Sequence, residues 1–261
     1  LFFLDKTQML FGDTKDSDGE RALVFDFVYG NSIELSRVDP VSGLTASIAF
    51  AIAAIHNLPH ELVQKSGFPE LDPQQNLKYR IMELDRAAQT GKVPPILLQR
   101  WETALEDSSM FRYQPTVVHG AINGHSVLEL DGKVSGVLHW SGLRISDPAE
   151  DLAWVLGGAT TELAKSVIAR YFEARPVADV NLWSRALLYS ELELARWLLH
   201  GYSQGSQEII EDAVGMLLVL TEEVESGKAE RIAAAPLATE IAQQRRAEQA
   251  TSNPVKNDEL F

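Results

Sequence analysis

Apolar and polar positions divide the chain into a short β-rich start and a body dominated by a rhythm of three and four residues. Residues 20–30, Glu-Arg-Ala-Leu-Val-Phe-Asp-Phe-Val-Tyr-Gly, are rich in β-branched and aromatic side chains. They follow the turn cluster Asp16-Ser17-Asp18-Gly19 and stop at Gly30-Asn31, which predicts a strand entered through a hairpin, with residues 7–12 as its partner. From Gly43 to Leu58 the pattern turns helical. Leu44, Ile48, Ile52 and Ile55 recur at three and four residues, with Ala46, Ala49, Ala53 and Ala54 between them. A helix apolar on most sides is expected to be buried, and Pro59 marks its end. Residues 72–90 predict a charged amphipathic helix ending near Thr90-Gly91, and Pro94-Pro95 open another that runs to about Leu105. Between 116 and 140 the helical rhythm breaks. Thr116-Val117-Val118 reads as a strand, and the runs 127–130 and 133–138 flank Asp131-Gly132, a strong hairpin signal. After Asp147-Pro148 the pattern is helical again, over 152–156, 163–172, 183–200 and 207–224. Ala229–Leu237 reads as fraying helix, and the stretch to 261 as a polar tail expected to be disordered. The predicted fold class is therefore α+β: a small β element, then a mainly helical body with one inserted hairpin.

Charge narrows the partners. Lys and Arg number 23 against 37 Asp and Glu, a formal net charge of −14, and the densest basic pair is Arg245-Arg246 in the tail. Such a chain has no electrostatic footprint for a nucleic-acid backbone or an anionic membrane, so neither is expected as a partner. An unknown small molecule or protein is expected instead. Cysteine is absent, which excludes disulfides, thiolate metal sites and cysteine nucleophiles and suits a reducing compartment; the expected location is cytoplasmic. The longest apolar run, Ile48 to Ile55, is far short of the roughly 18 residues of a membrane helix. Leu1-Phe2-Phe3-Leu4 lacks a basic region ahead of it and does not read as a signal peptide; with no initiator Met, the chain is expected to begin inside a longer protein.

The chemistry-bearing residues lie in three stretches: Val117-Val118-His119-Gly120-Ala121-Ile122-Asn123-Gly124-His125-Ser126, then Gly136-Val137-Leu138-His139-Trp140, then Asp147-Pro148-Ala149-Glu150-Asp151-Leu152-Ala153. They resemble the aminoglycoside and macrolide phosphotransferases, small-molecule kinases with a protein-kinase-like fold. The pattern there is His-Gly-Asp, four residues, Asn or His, then Gly-x-Ile/Leu-Asp-Trp, then Asp-Pro-x-x-Asp-Leu/Phe-Ala, and the spacing matches without a gap. Ala54–Pro59, Glu83–Ala88, Gly91–Pro95 and Ala195–Gly201 are similar to the macrolide 2'-phosphotransferase-like branch, and the resemblance covers roughly residues 7–225. It implies a kinase-like α+β fold: residues 1–30 as a remnant of the N-terminal nucleotide lobe and hinge, 31–228 as the helical C-terminal lobe with a catalytic-loop-like hairpin at 116–140, and 229–261 as the tail. It also implies ATP and Mg²⁺. In such enzymes a loop Asp orients the substrate hydroxyl and accepts its proton, while an Asn or His five residues later and an Asp in the next hairpin hold magnesium on the phosphates.

The departures fall on those positions. The catalytic Asp position is Ala121, the first metal-ligand position is Ser126 and the second is His139, whose imidazole is no substitute for a carboxylate toward Mg²⁺. The scaffold stays: His119, Gly120, Trp140, Asp147, Pro148 and Asp151 stand where the family has them. The resemblance implies that Asp151 accepts backbone N–H groups of the 119–121 loop; its place before an apolar run also suits a helix cap. The phosphate-covering loop, lysine and partner glutamate expected ahead of the 7–29 hairpin are not in the sequence. The strand ending at Phe27-Val28-Tyr29 corresponds to the adenine-holding hinge, which makes Phe27 and Val28 the cofactor-binding candidates. The expected function is a catalytically degenerate member, a pseudokinase serving as a ligand-binding or interaction module. The alternatives are an active ATP-dependent O-phosphotransferase using displaced ligands such as Asn123, Glu129 or Asp131, and a non-functional truncated relative.

Four further groups have two readings each. His119, His125 and His139 are either an imidazole trio for zinc or nickel or a packed residue with two drifted neighbours. Asn123 is either an oxygen ligand or a turn residue. Glu191, Glu193 and Glu208 either line a groove for a cation or form a solvated acidic face. Trp140, Trp154, Trp183 and Trp197 are either core or a stacking platform.

Overall fold

In a computed structural model the described residues are 27–233, together with 14–15 and 21–22. By packing, the described residues form two compact units, one from those up to 70 together with 116–176 and the other from 71–115 and 177–233.

The first unit begins with an antiparallel pair, β1 (Thr14–Lys15) and β2 (Arg21–Ala22), with Thr14 opposite Ala22. This is a hairpin about the expected turn; residues 7–12, 16–20 and 23–26 lie outside the described residues. The strand expected to end at Gly30 is corrected: residues 27–30 are irregular, and pairing starts at β3 (Asn31–Ser32), where Asn31 meets Glu129. A β-rich sequence becomes a strand only where a partner edge is present, and here that edge begins one residue after Gly30.

That partner is β5 (Val127–Leu130), the middle strand of β3-β5-β6, with β6 spanning Lys133–Val137. The hairpin forms as expected: Asp131 and Gly132 take φ of 53° and 73°, the mirror-image turn that fits strand twist. Leu128 pairs with Gly136 and Glu129 with Val134, so Ser135 is bulged out between them. β4 (Thr116–Val118) pairs with β7 (Arg144–Ser146), Val117 opposite Ile145.

α1 (Gly43–His56) is capped by Ser42, whose hydroxyl accepts from the Thr45 N–H, and it buries Ile48, Ala49, Ile52 and Ile55 as its pattern requires. Pro59, read as a stop, also starts α2 (His60–Lys65), because proline's fixed φ suits a helix entrance as well as an exit. α5 (Ala149–Gly158) and α6 (Thr161–Ala174) complete the unit, α6 packing along α1. Ile55, Val63, Val117 and Ile145 form a core cluster against which Ile122, Trp140 and Leu143 pack.

The second unit is helical. α3 (Pro73–Gln89) opens with a reciprocal capping box between Asp72 and Gln75; α4 (Pro95–Glu106), α7 (Leu182–Gln204) and α8 (Gln207–Glu225) follow. Its buried charges are paired. Glu191 takes two bonds from Arg100, at 2.9 and 2.7 Å, and one from the Trp101 indole at 2.8 Å. Arg185 reaches Asp179 at 2.6 Å and lies 4.6 Å from the Tyr113 ring centre. Residues 229–233, expected as fraying helix, are not helical: α8 stops before Ser226-Gly227, where Gly227 takes a φ of 71°. They are bonded into the unit instead, through Trp183 to Glu230 at 2.9 Å and from the Ser184 hydroxyl to the Ala233 carbonyl. Among the described residues no helix is long and apolar enough to cross a membrane.

Candidate functional site

The loop between β4 and β5 carries His119 to Ser126, and the segment after β6 carries His139 to Gly142. Both rest on the start of α5. Asp151, fully buried, accepts the His119 N–H on one carboxylate oxygen and the Gly120 N–H on the other, each at 2.8 Å. His56, at the end of α1, faces the same carboxylate at 3.1 Å and the Tyr171 hydroxyl of α6 at 2.8 Å. Burial would push the Asp151 carboxyl up. The bond and charge of His56, with the Gly120 and His119 N–H groups, outweigh it and hold the carboxyl below its ordinary value. Asp151 is not the helix cap: it lies inside α5, and Pro148 is the N-cap residue. The Asp147 carboxylate takes the Ala149 N–H at 2.9 Å.

His119 is a packed residue with both ring nitrogens engaged. Nδ1 accepts the Ala121 N–H at 3.3 Å, so Nε2 carries the proton and donates to the Leu138 carbonyl at 2.8 Å. Its ring centre lies 4.8 Å from that of Trp140, whose indole donates to Val137. Gly120 takes a φ of 74° and is boxed in: a Cβ there would stand 2.3 Å from both the Arg144 guanidinium and the Gly142 carbonyl. Arg144 donates to Gly142 at 2.8 Å and is paired with Glu150, which also accepts from Ser146 at 2.7 Å. The loop and the segment after β6 are thus fastened to one another and to α5.

The residues at the chemical positions differ in setting. Ala121 is exposed and presents a methyl group. Ser126 is fully buried, its hydroxyl accepting the Asn123 N–H at 2.8 Å and donating to the Asn123 carbonyl at 2.9 Å. The Asn123 side chain is a turn former: Oδ1 takes the His125 and Ser126 N–H groups at 2.9 and 3.1 Å, and the amide nitrogen donates to Ala121. His139 is exposed and left-handed, at φ 65° and ψ 50°. A hydroxyl and an amide oxygen already committed to backbone, beside an imidazole, do not fit Mg²⁺, which wants free hard oxygens in near-octahedral array. Nor does the histidine trio stand, since His119 has no free nitrogen and, among the described residues, no three His, Cys, Asp or Glu are grouped to hold a metal. Glu129 accepts the Gly132 N–H at the hairpin tip, beside Asp131. That tip is three residues along β5 from the loop, about 10 Å.

Phe27 is 77% exposed, with its ring centre 4.8 Å from that of Tyr29. Val28 lies over Gly136, where a Cβ would meet it at 2.4 Å. In the second unit Glu191 is buried in its Arg100 and Trp101 bonds, and Glu193 pairs with Arg196 at 2.7 Å. Trp183 and Trp197 are committed locally, to Glu230 and to Asp212, through their N–H groups. Sequence reasoning missed His56, Tyr171, Arg144 and Glu150 as the supports of the loop. The available signal was His56 itself, a polar side chain closing an otherwise apolar helix.

His139 bears on stability directly. A left-handed non-glycine residue costs about 1–3 kcal/mol, and glycine returns about 0.5–1 kcal/mol of that through unfolded-chain entropy. His139→Gly is expected to raise stability by about 1 kcal/mol, read as a higher urea midpoint at unchanged slope. A lower midpoint would mean that the imidazole makes a stabilising contact.

The family model of the phosphotransferase enzyme family matches residues 8–189. A curated relative, the uncharacterized protein YcbJ of Bacillus subtilis (strain 168), is 22% identical over 150 residues, 56% of this chain and 47% of the relative. The chain thus spans about half of that relative's length. Among solved structures, the macrolide 2'-phosphotransferase MphH from Brachybacterium faecium, as apoenzyme, matches with a TM-score of 0.60 and 22% identity over 79% of this chain and 65% of its own. A macrolide 2'-phosphotransferase type I gives 0.67 and 23% over 76% and 68%. The GDP complex of aminoglycoside 2'-phosphotransferase-IIIa gives 0.64 and 21% over 81% and 73%. These neighbours share the kinase-like aminoglycoside phosphotransferase fold. With a family match over more than half its residues, and with the loop, hairpin and α5 motifs in the family's order, the chain belongs to the phosphotransferase enzyme family.

Proposed function

We infer that this family member is a pseudokinase, a ligand-binding or interaction module that retains the scaffold of a small-molecule phosphotransferase without its phosphoryl-transfer chemistry. The observation that carries the reading is the state of three positions together: a methyl group at Ala121, a hydroxyl at Ser126 used up within its own turn, and an imidazole at His139. No group at 121 is able to orient a hydroxyl or accept its proton, a loss of about 10²–10⁴-fold by itself. The metal positions supply no free carboxylate or amide oxygen, so the charge on a transferring phosphoryl group is left uncompensated. In this reading residues 27–30 are the remnant of the hinge, and the well-supported loop presents a binding surface to a small molecule or a protein.

The test is phosphorylation of macrolides and aminoglycosides, the substrates named for the structural neighbours, with Mg²⁺ and ATP. Product at the level of a heat-inactivated control is expected. Turnover above it, abolished by EDTA, would overturn the reading and favour an enzyme with displaced ligands.

A further inference from the structure

The last turn of α6 carries two polar side chains four residues apart. Tyr171 is fully buried beside the end of α1, and Arg175 closes the helix as its C-cap. Residues at that spacing lie one above the other, so the Arg175 side chain folds back over Tyr171. Its guanidinium stands 3.3 Å from the Tyr171 hydroxyl, and its backbone N–H donates to the Tyr171 carbonyl at 2.8 Å. The same hydroxyl lies 2.8 Å from His56 Nδ1, and His56 Nε2 lies 3.1 Å from Asp151. Four side chains from α6, α1 and α5 thus connect the half-buried Arg175 to the carboxylate that holds the His119 and Gly120 N–H groups.

The direction of each bond follows from what each group is able to give. A guanidinium only donates, so Arg175 places an N–H on the Tyr171 oxygen. An ionised carboxylate only accepts, and the Asp151 carboxyl is held below its ordinary value, so His56 Nε2 carries a proton. The remaining bond runs from the Tyr171 O–H to the lone pair of Nδ1. A tyrosine oxygen that already accepts from a cation is the stronger donor, and successive bonds pointing one way polarise one another. In acid the ring takes a second proton, as imidazoles do, and faces Asp151 as a cation, the charge that lowers that carboxyl.

We propose that Tyr171 and Arg175 are positioning residues for the 119–121 loop, acting through His56. The relay runs one way, from the Arg175 N–H to the Tyr171 O–H to Nδ1, and from Nε2–H to Asp151. It holds the imidazole with its N–H toward the carboxylate, and the carboxylate with its oxygens toward the loop amides. Without the tyrosine proton, Nδ1 is a buried acceptor with no donor. The ring then satisfies it by turning or by moving its proton to Nδ1, and either change takes the Nε2–H away from Asp151. The loop is therefore set from a point outside it, at the end of α6, whether it binds a ligand or transfers a phosphoryl group.

The His56 ring nitrogens test the direction without any variant. In the full chain in neutral solution, nitrogen NMR is expected to place the proton on Nε2 alone; a proton on Nδ1 would overturn the proposal. Tyr171→Phe removes the hydroxyl and keeps the ring. It is expected to shift both His56 nitrogen resonances. It is also expected to speed exchange of the His119 and Gly120 amides several-fold beyond any change at Ile52 of α1 and Ile168 of α6, which lie in the core. A tyrosine that only fills space would leave the His56 resonances in place or speed all four amides alike, and either result overturns the proposal. Arg175→Ala is expected to act in the same direction with a smaller effect. Arg175→Lys is expected to restore the parent rates in part, because an ammonium still donates. Arg175→Ala with parent rates, or Arg175→Lys no better than Arg175→Ala, would overturn the part given to Arg175.

Discussion

Asp151→Ala is expected to lower the folding stability of this protein by about 3–5 kcal/mol, the cost of removing one partner from a buried charged network. The carboxylate is fully buried and is the acceptor for the His119 and Gly120 N–H groups and for His56. An alanine leaves these donors without an acceptor, at about 1–3 kcal/mol for each one left unpaired. Chemical denaturation measures the loss. Asp151→Asn keeps one acceptor oxygen and should lose less. The pH dependence has a definite sign. Because the folded carboxyl is held below the ordinary carboxylate value, its contribution is fully present above that ordinary value and fades as pH falls from there through the folded value. The parent should therefore lose stability below about pH 4 more steeply than Asp151→Ala. Equal midpoints for parent and variant at neutral pH would show that the loop amides find water or other acceptors.

Gly120→Ala is expected to cost about 3 kcal/mol or more, from two independent terms. A left-handed backbone costs a non-glycine residue about 1–3 kcal/mol, and overpacking costs about as much again. The clash is specific: at φ 74° the new methyl would lie 2.3 Å from the Gly142 carbonyl and the Arg144 guanidinium. The guanidinium end is able to swing, but it would give up Glu150 and Gly142; the Gly142 carbonyl is backbone and moves only with the segment after β6. The variant should unfold at a lower denaturant concentration, and Arg144→Ala should partly rescue it by freeing one side of the box. A variant as stable as the parent would mean that the loop takes another backbone conformation.

Much of the fold is legible in periodicity. α1, α3, α4 and α6–α8 appear where apolar residues recur at three and four, because each such stripe has to be buried whatever its partner. The β5–β6 hairpin is legible because Asp131-Gly132 favours one turn and thereby one register. β3 and β7 were not legible, being two and three residues long and paired with strands far away in sequence. Local propensity says nothing about such a partner. The proline before α2 misled for a related reason, since it bounds a helix at either end.

For the candidate site, the sequence by itself determined which atoms are present: a methyl group at 121, a hydroxyl at 126, an imidazole at 139, and the motif order that aligns them with the family. What those atoms are engaged in was decided only by the tertiary structure. Asn123 had two readings, as ligand or turn residue, and Ser126 stood at a metal-ligand position; the hydrogen bonds of the 123–126 turn use the polar atoms of both locally. Asp151 had two readings as cap or clamp, and it is the clamp because α5 carries it to the loop amides and α1 brings His56 to its other side. The trio of histidines dissolved once both nitrogens of His119 were spent on Ala121 and Leu138. Identity is a property of one position, whereas a hydrogen bond between residues 56 and 151 depends on the direction in which two helices arrive, and that is set by burial of their apolar faces rather than by any local pattern.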